Sequence, residues 1–295
     1  MKKNFESIYI IILLSLLLVI YLFFTDIVVE NILEYTELFI KKVFPVSFIF
    51  LILSNMLINY NIIQYLQRII KIKSFDFYIM ILSMISGFPS GAIYIKELLN
   101  NKMITGKQAN KSIMFCHFPN PLFVINSVGI ILNDRKIALI ILFSIIISNF
   151  ILFIFFHNKN TKLIDFNFKS CFSSILSDSI IKSFKVIVLI YGISVFFFLM
   201  ASFLLINITN PFIYVLINGI FDLTKGVYST TLINDIIIKS LFIILFISFS
   251  SLSIHLQIKS ILMDTDINYI NFIKGRVFGT LLSFFIFLFI FIFIY

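Results

Sequence analysis

The chain predicts an all-α polytopic membrane protein made of inverted-topology repeats with re-entrant helical hairpins and broken helices. Three observations lead there. The 295 residues are 60% hydrophobic and only 13% charged, more apolar than a water-soluble domain of this size needs. Long apolar stretches recur from end to end. Two of them are interrupted by polar or helix-breaking residues, at Gly87-Phe88-Pro89-Ser90-Gly91 and at Phe221–Val227.

Composition narrows the function classes. The net charge of +9 reads first as membrane topology and lipid head-group contact, and it does not point to nucleic acid. With 39 Phe and no Trp, an interfacial aromatic belt must rest on Tyr and Phe. Cys116 and Cys171 form no metal or redox pattern, and no disulfide is expected. No metal site or cofactor is expected, and a coupling ion stays unassigned. Signatures of zinc proteases, serine hydrolases, paired-cysteine chemistry and phosphate loops are missing from the sequence, so no enzyme is expected.

The first apolar run, 8–24, is too long for a secretory signal and precedes no small-x-small site. It is expected to be an uncleaved span with Lys2 and Lys3 in the cytosol. Asp26, Glu30, Glu34 and Glu37 then recur at helical spacing, as on a helix lying along the membrane surface. Further apolar stretches cover 43–59, 77–99, 112–132, 137–156, 184–206, 211–233, 236–258 and 277–295. Between them, Arg68, Lys71 and Lys73 edge an interfacial helix, and a polar linker carries Lys159, Lys162, Lys169 and Lys182. The expected units are 1–42, a first repeat at 43–157, a basic cytosolic linker at 158–182, and an inverted second repeat at 183–295.

The distribution of lysine decides the topology. If 77–99 crossed the membrane, Lys96, Lys102, Lys107 and Lys111 would face outside. If it turns back at Gly87–Gly91, those lysines stay in the cytosol, and the arms of about eleven residues reach roughly mid-membrane. The same logic makes 211–233 re-entrant and puts Lys259, Lys274 and Arg276 on the cytosolic side. Lys41 and Lys42 run against the scheme. A weak internal repeat supports it, setting Phe115, Phe118, Asn120, Asn126 and Asn133 against Phe246, Phe249, Ser251, Gln257 and Asp264.

Broken backbone at membrane depth is tolerated where protein buries it or where it lines a cavity. One such break reads equally well as a packed kink, but paired breaks favour a cavity. Gly87 and Gly91 permit close approach or positive φ, and Pro89 can start the second arm. Pro119 and Pro121 leave the carbonyls of Phe115 and His117 in need of a partner such as water, an ion or a ligand. Asn120, Asn126, Ser251, Ser253, His255 and Gln257 add polar lining, which by itself also suits helix association. Asp222 and Lys225, beside Thr224 and Gly226, are either a structural ion pair or an anion and cation site.

These motifs, "SGFPSGA", "FCHFPNPLFVINSVG", "FDLTKG" and "SLSIHLQ", resemble those of the sporulation integral membrane protein family YlbJ (SpoVV), within the nucleoside-recognition Gate-domain group. The resemblance runs from about Val43 to the C-terminus. It departs at Phe88, where the family tends to have Tyr, at Asp222, where it has Glu, and at Ser250 and Ser251, where it has glycines. It implies transport of dipicolinic acid across the outer forespore membrane by a fold similar to concentrative nucleoside transporters. The substrate-binding residues then expected are Gly87, Phe88, Pro89, Ser90, Gly91, His117, Asn120, Asn126, Asp222, Thr224, Lys225, Gly226, Ser251, Ser253, His255 and Gln257. The expected partners are a small anion and the bilayer, with self-association left open. Two other readings stand beside this one: a nucleoside or other metabolite carrier, and a non-transporting sporulation assembly factor.

Overall fold

The computed structural model describes residues 2–72, 74–158 and 171–294. Lys73 and most of the basic linker, with Lys159, Lys162 and Lys169, lie outside them. Among the described residues there are helices and no strands. Helix α1 (Lys2–Phe23) meets the following segment at a 97° bend. Helices α2 (Thr25–Leu38) and α3 (Phe44–Asn59), joined by a π-helical turn at Phe39–Val43, form one rod. At 1.5 Å per residue it is about 50 Å long, enough to cross the bilayer. The acidic stretch is therefore not a separate helix, as the charge spacing suggests, but continuous with α3, and its Glu34 and Glu37 reach Lys225 and Lys41.

The amphipathic α4 (Ile62–Ile70) leads to α5 (Phe75–Ser86) and α6 (Ser90–Asn100), separated at Gly87-Phe88-Pro89. The two arms fold back on each other. The Ser86 hydroxyl bonds the Tyr94 hydroxyl at 2.7 Å, and a Cβ on Gly91 would sit 2.9 Å from Ser83 Oγ. In a straight helix residues 83 and 91 would be roughly 12 Å apart. Helix α7 (Gly106–Ser112) opens on a Thr105–Gln108 capping box. Irregular backbone follows to Asn120, and the segment resumes as the π-helical turn Phe123–Val128 and α8 (Gly129–Leu132). Asp134 caps α9 (Arg135–Phe156) by accepting from the N–H groups of Lys136 and Ile137.

The second half has the same order of elements. Helix α10 (Phe172–Leu205) begins well before the expected Phe184 and takes in Lys182. Helices α11 (Pro211–Phe221) and α12 (Leu223–Ser229) form the second hairpin, breaking at Asp222. They approach so closely that a Cβ on Gly226 would lie 2.3 Å from Gly219 Cα. Helices α13 (Ile236–Phe249) and α14 (Leu252–Leu262) share one axis and break at Ser250, whose φ of +71° ends the first piece. Helix α15 (Tyr269–Ile294) closes the fold.

Corresponding helices of the two halves pair with each other. Tyr35 lies against Phe198 (ring centroids 5.1 Å apart), Thr36 bonds Tyr191 at 2.6 Å, and Asn55 donates to Ser183 at 3.0 Å. Residue numbers rise along the α2–α3 rod as they fall along α10, so the pair is antiparallel. Helices α9 and α15 meet through small residues: Ser148 donates to the Gly279 carbonyl at 2.7 Å, and Gly275, Gly279 and Ser283 recur every fourth position. The α13–α14 unit, α9, α10 and α15 are each long and apolar enough to cross a membrane. Their outward faces carry side chains such as Phe155 and Phe293, as an integral membrane protein requires.

A Cβ on Gly275 would lie 2.2 Å from the Met114 carbonyl oxygen. Gly275→Val should lower stability by about 2–3 kcal/mol, while Gly192→Ala, with open space around it, should be neutral or mildly stabilising. Thermal unfolding in detergent measures both. Cysteine labelling checks the hairpins in a Cys171→Ser background, since Cys116 is buried. Lys71→Cys and Lys102→Cys should label from one face of the membrane, and Thr209→Cys and Asn234→Cys from the other. Labelling of Lys71→Cys and Lys102→Cys from opposite faces would mean that the first hairpin crosses.

Candidate functional site

The candidate residues gather where each hairpin tip meets the broken helix of its own half. At the first tip Gly87 has φ +77° and abuts Asn120, so closely that a Cβ would be 2.6 Å from the Asn120 backbone. Gly91 faces the Cys116 carbonyl with a Cβ separation of 1.9 Å, a contact that only glycine allows. The Phe88 N–H donates to the Phe118 carbonyl at 2.6 Å, across a cis Phe88–Pro89 bond. Asn120 donates to the Ser86 carbonyl at 3.3 Å and accepts from the Leu122 N–H at 2.9 Å. Ser90 is buried beside it.

The second tip repeats this arrangement with different side chains. Ser251 donates to the Gly219 carbonyl at 2.7 Å. Asn120 and Ser251, matched in the internal repeat, thus each donate to a carbonyl in the last turn of the first hairpin arm. The Asp222 carboxylate, 2% exposed, caps α12 by accepting from the Lys225 N–H at 2.9 Å, and it accepts from the Ser253 hydroxyl at 3.0 Å. Tyr35, Ser194 and Thr224 stand around the same cluster, and Gln257 donates to Ser194 at 3.2 Å. Gly226 closes the arm onto Gly219.

A third group joins the tips. Phe88 stacks on His117 (centroids 5.0 Å apart), and His117 Nε2 bonds the Ser250 hydroxyl at 2.8 Å. Phe272 packs edgewise against both His117 and His255. His255 bonds the Tyr269 hydroxyl at 2.6 Å and the Phe249 carbonyl at 3.1 Å. Beneath them lies Arg276, 1% exposed. Its guanidinium donates to the carbonyls of Met114 (3.1 Å), Ser248 (3.3 Å) and His117 (3.5 Å), and to Asn149 Oδ1 (3.0 Å).

Four sequence expectations need correction. Lys225 does not pair with Asp222; its ammonium reaches Glu34 on α2 and lies over the Phe198 ring at 5.3 Å. At one residue per 100° of helix, Lys225 leaves α12 on the side of the rod, and only its backbone serves Asp222. Asn126 is exposed rather than lining a buried tip, because the π-helical turn adds a residue and rotates the face on which Gln257 sits in the other half. The His117 carbonyl, freed by Pro121, is met by Asn149 (3.1 Å) and Arg276 rather than by a ligand. Arg276 is not at a cytosolic edge, since α15 starts at Tyr269 and carries it into the interior. Its signal was present in the neighbouring small residues, Gly275 and Gly279, which mark close helix approach.

Both tips are closed in this conformation, their polar groups engaged with one another. Beside the second break lies a cavity of about 270 Å³, walled by Leu216, Phe242, Leu245, Phe246 and Phe249, with Ser250 and Thr280 as its polar members. Among the described residues no group of His, Cys, Asp and Glu could hold a metal ion.

No family model matches the chain, and no solved structure matches it. Among curated proteins it is similar to the sporulation integral membrane protein YlbJ of Bacillus subtilis, at 20% identity over 289 residues, covering 80% of this chain and 71% of that protein.

Proposed function

We propose that the protein is a carrier for a small anionic metabolite, working by alternating access, with dipicolinic acid as the first candidate substrate. One observation carries this reading. Each half brings a hairpin tip onto its own broken helix, and the chain Phe88–His117–Ser250 links the two junctions inside the molecule. Discontinuous helices of this kind are where transporters place their binding sites. A pure scaffold gains nothing from irregular backbone that a continuous helix would satisfy by itself.

The preference for an anion rests on charge. Among the described residues no carboxylate pairs with Arg276, and its buried Nε–H has no hydrogen-bond partner. A buried cation without a counter-ion attracts a negatively charged solute. At the second tip the hydroxyls of Ser253, Ser194 and Tyr35 are turned to the Asp222 carboxylate, so the charge that favours an anion is that of Arg276. The similarity to a sporulation integral membrane protein supports the setting, a membrane of a sporulating cell.

Purified protein in liposomes should release labelled dipicolinate down its gradient, and excess unlabelled dipicolinate should compete better than a nucleoside. Competition by the nucleoside alone would favour a nucleoside carrier, and absence of any flux would favour an assembly factor. Asp222→Asn keeps a good cap on α12 but removes the charge, so flux should fall roughly tenfold or more with little change in thermal midpoint. Asp222→Ala loses the cap and orphans the Ser253 hydroxyl, so stability should drop by about 2 kcal/mol. Equal flux in wild type and Asp222→Asn would remove this residue from the site.

A further inference from the structure

We propose that Arg276 is a resident cation that fills the carbonyl cage where the two broken helices meet, so that the carrier needs no sodium ion there. In discontinuous transporter helices, unwound carbonyls and the C-terminal ends of half-helices commonly hold a coupling cation. Here the same kind of oxygen set is assembled. The Met114 and His117 carbonyls lie in the irregular stretch after α7, and the Ser248 carbonyl lies in the last turn of α13. Asn149 on α9 adds a side-chain oxygen. All four point at one guanidinium, with donor–acceptor distances of 3.0–3.5 Å.

The sign of the charge is right for the site. The α13 C-terminus presents unsatisfied carbonyls and a negative dipole end, and a cation is stabilising there. A planar guanidinium holds five donors in a fixed fork and so meets oxygens of two segments in one preorganised geometry, where an ammonium has three donors on one nitrogen. The Phe272 ring, its centroid 5.7 Å from the guanidinium carbon, covers one face of the group. Gly275 is the enabling residue: any Cβ there would strike Met114, so only glycine lets α15 come close enough to deliver the next side chain. Because Arg276 touches both broken helices and α9, it also couples the two halves through one group.

The experiment has a melting arm, independent of transport, and a flux arm that rests on the carrier reading. Thermal unfolding of the purified full chain is measured in sodium, potassium, lithium and choline chloride at equal ionic strength. The wild-type midpoint should be the same in all four, because a cation bound to the native state would raise it by mass action. Arg276→Ala should lower the midpoint by about 5 °C or more, and millimolar guanidinium should restore part of the loss where urea does not. Arg276→Lys should fall between the two. The proposal is overturned if sodium stabilises the wild type, if Arg276→Ala melts like the wild type, or if urea rescues as well as guanidinium. Should neither variant fold, the wild-type cation series alone decides. In liposomes, wild-type dipicolinate flux should be equal in sodium and choline. A sodium requirement refutes the resident cation, whereas absence of flux refutes the carrier reading and leaves the melting result standing.

Discussion

Backbone N–H and C=O groups at membrane depth have no water to turn to, and this chain leaves several of them outside any helix. Met114 to Asn120 and Ser250 are the places where that happens. The side chains that meet the freed groups come from far along the sequence: Arg276 and Asn149 for the first broken helix, Arg276 again for the second. The hairpin arms are tied down in the same way by Asn120 and Ser251. An unsatisfied carbonyl costs a few kcal/mol in an apolar interior, so these few bonds decide whether the breaks are stable at all. The antiparallel pairing of the α2–α3 rod with α10, and of α9 with α15 through small residues, holds those donors in register.

Much of the fold was legible because glycine and proline act directly on the backbone. Gly87, Pro89, Pro119 and Pro121 announce breaks that no surrounding context can undo, and α5, α6 and the stretch after α7 end or begin beside them. The Ser250 break has no such residue, and 236–258 reads as one continuous apolar stretch until the backbone is seen. Long-range pairings were out of reach. Glu34 and Lys225 stand 191 residues apart, and nothing local to Lys225 distinguishes a bond to Glu34 from one to Asp222 three positions away. Asn126 was misplaced for a subtler reason: one extra residue in a π turn rotates everything after it, and helical periodicity assumes that no such residue is present. Arg276 follows Lys274, and two cations near a span edge look like topology determinants until the helix is known to start at Tyr269.

Two buried charges shape the interior without neutralising each other. Arg276 is held by neutral oxygens of the broken helices, and Asp222 by the hydroxyl of Ser253 and a backbone N–H. Burying either charge is costly, and hydrogen bonds from neutral dipoles offset only part of that cost. Stability explains only part of this arrangement: Arg276 meets carbonyls that a hydrophobic residue would leave orphaned, whereas a neutral Asn in place of Asp222 would keep the α12 cap without burying a charge. The arrangement is well explained if the charges act on something that enters between them, which is the condition a carrier has to meet.

The two hairpins differ in their surroundings. The first tip is fixed on three sides, by Gly87 against Asn120, Gly91 against Cys116 and the Phe88–Phe118 backbone bond, with no slack for a side chain larger than hydrogen at either glycine. The second tip is held by the Ser251–Gly219 bond and the Asp222–Ser253 bond, and the 270 Å³ apolar cavity lies against its Gly219 and Ile220. Displacing a packed segment into existing space creates less strain than opening a close-packed one. Both tips are close-packed at their glycines: a Cβ on Gly219 would lie 2.1 Å from the Phe246 ring, as one on Gly87 would lie 2.6 Å from Asn120, so what sets the second hairpin apart is the space beside it.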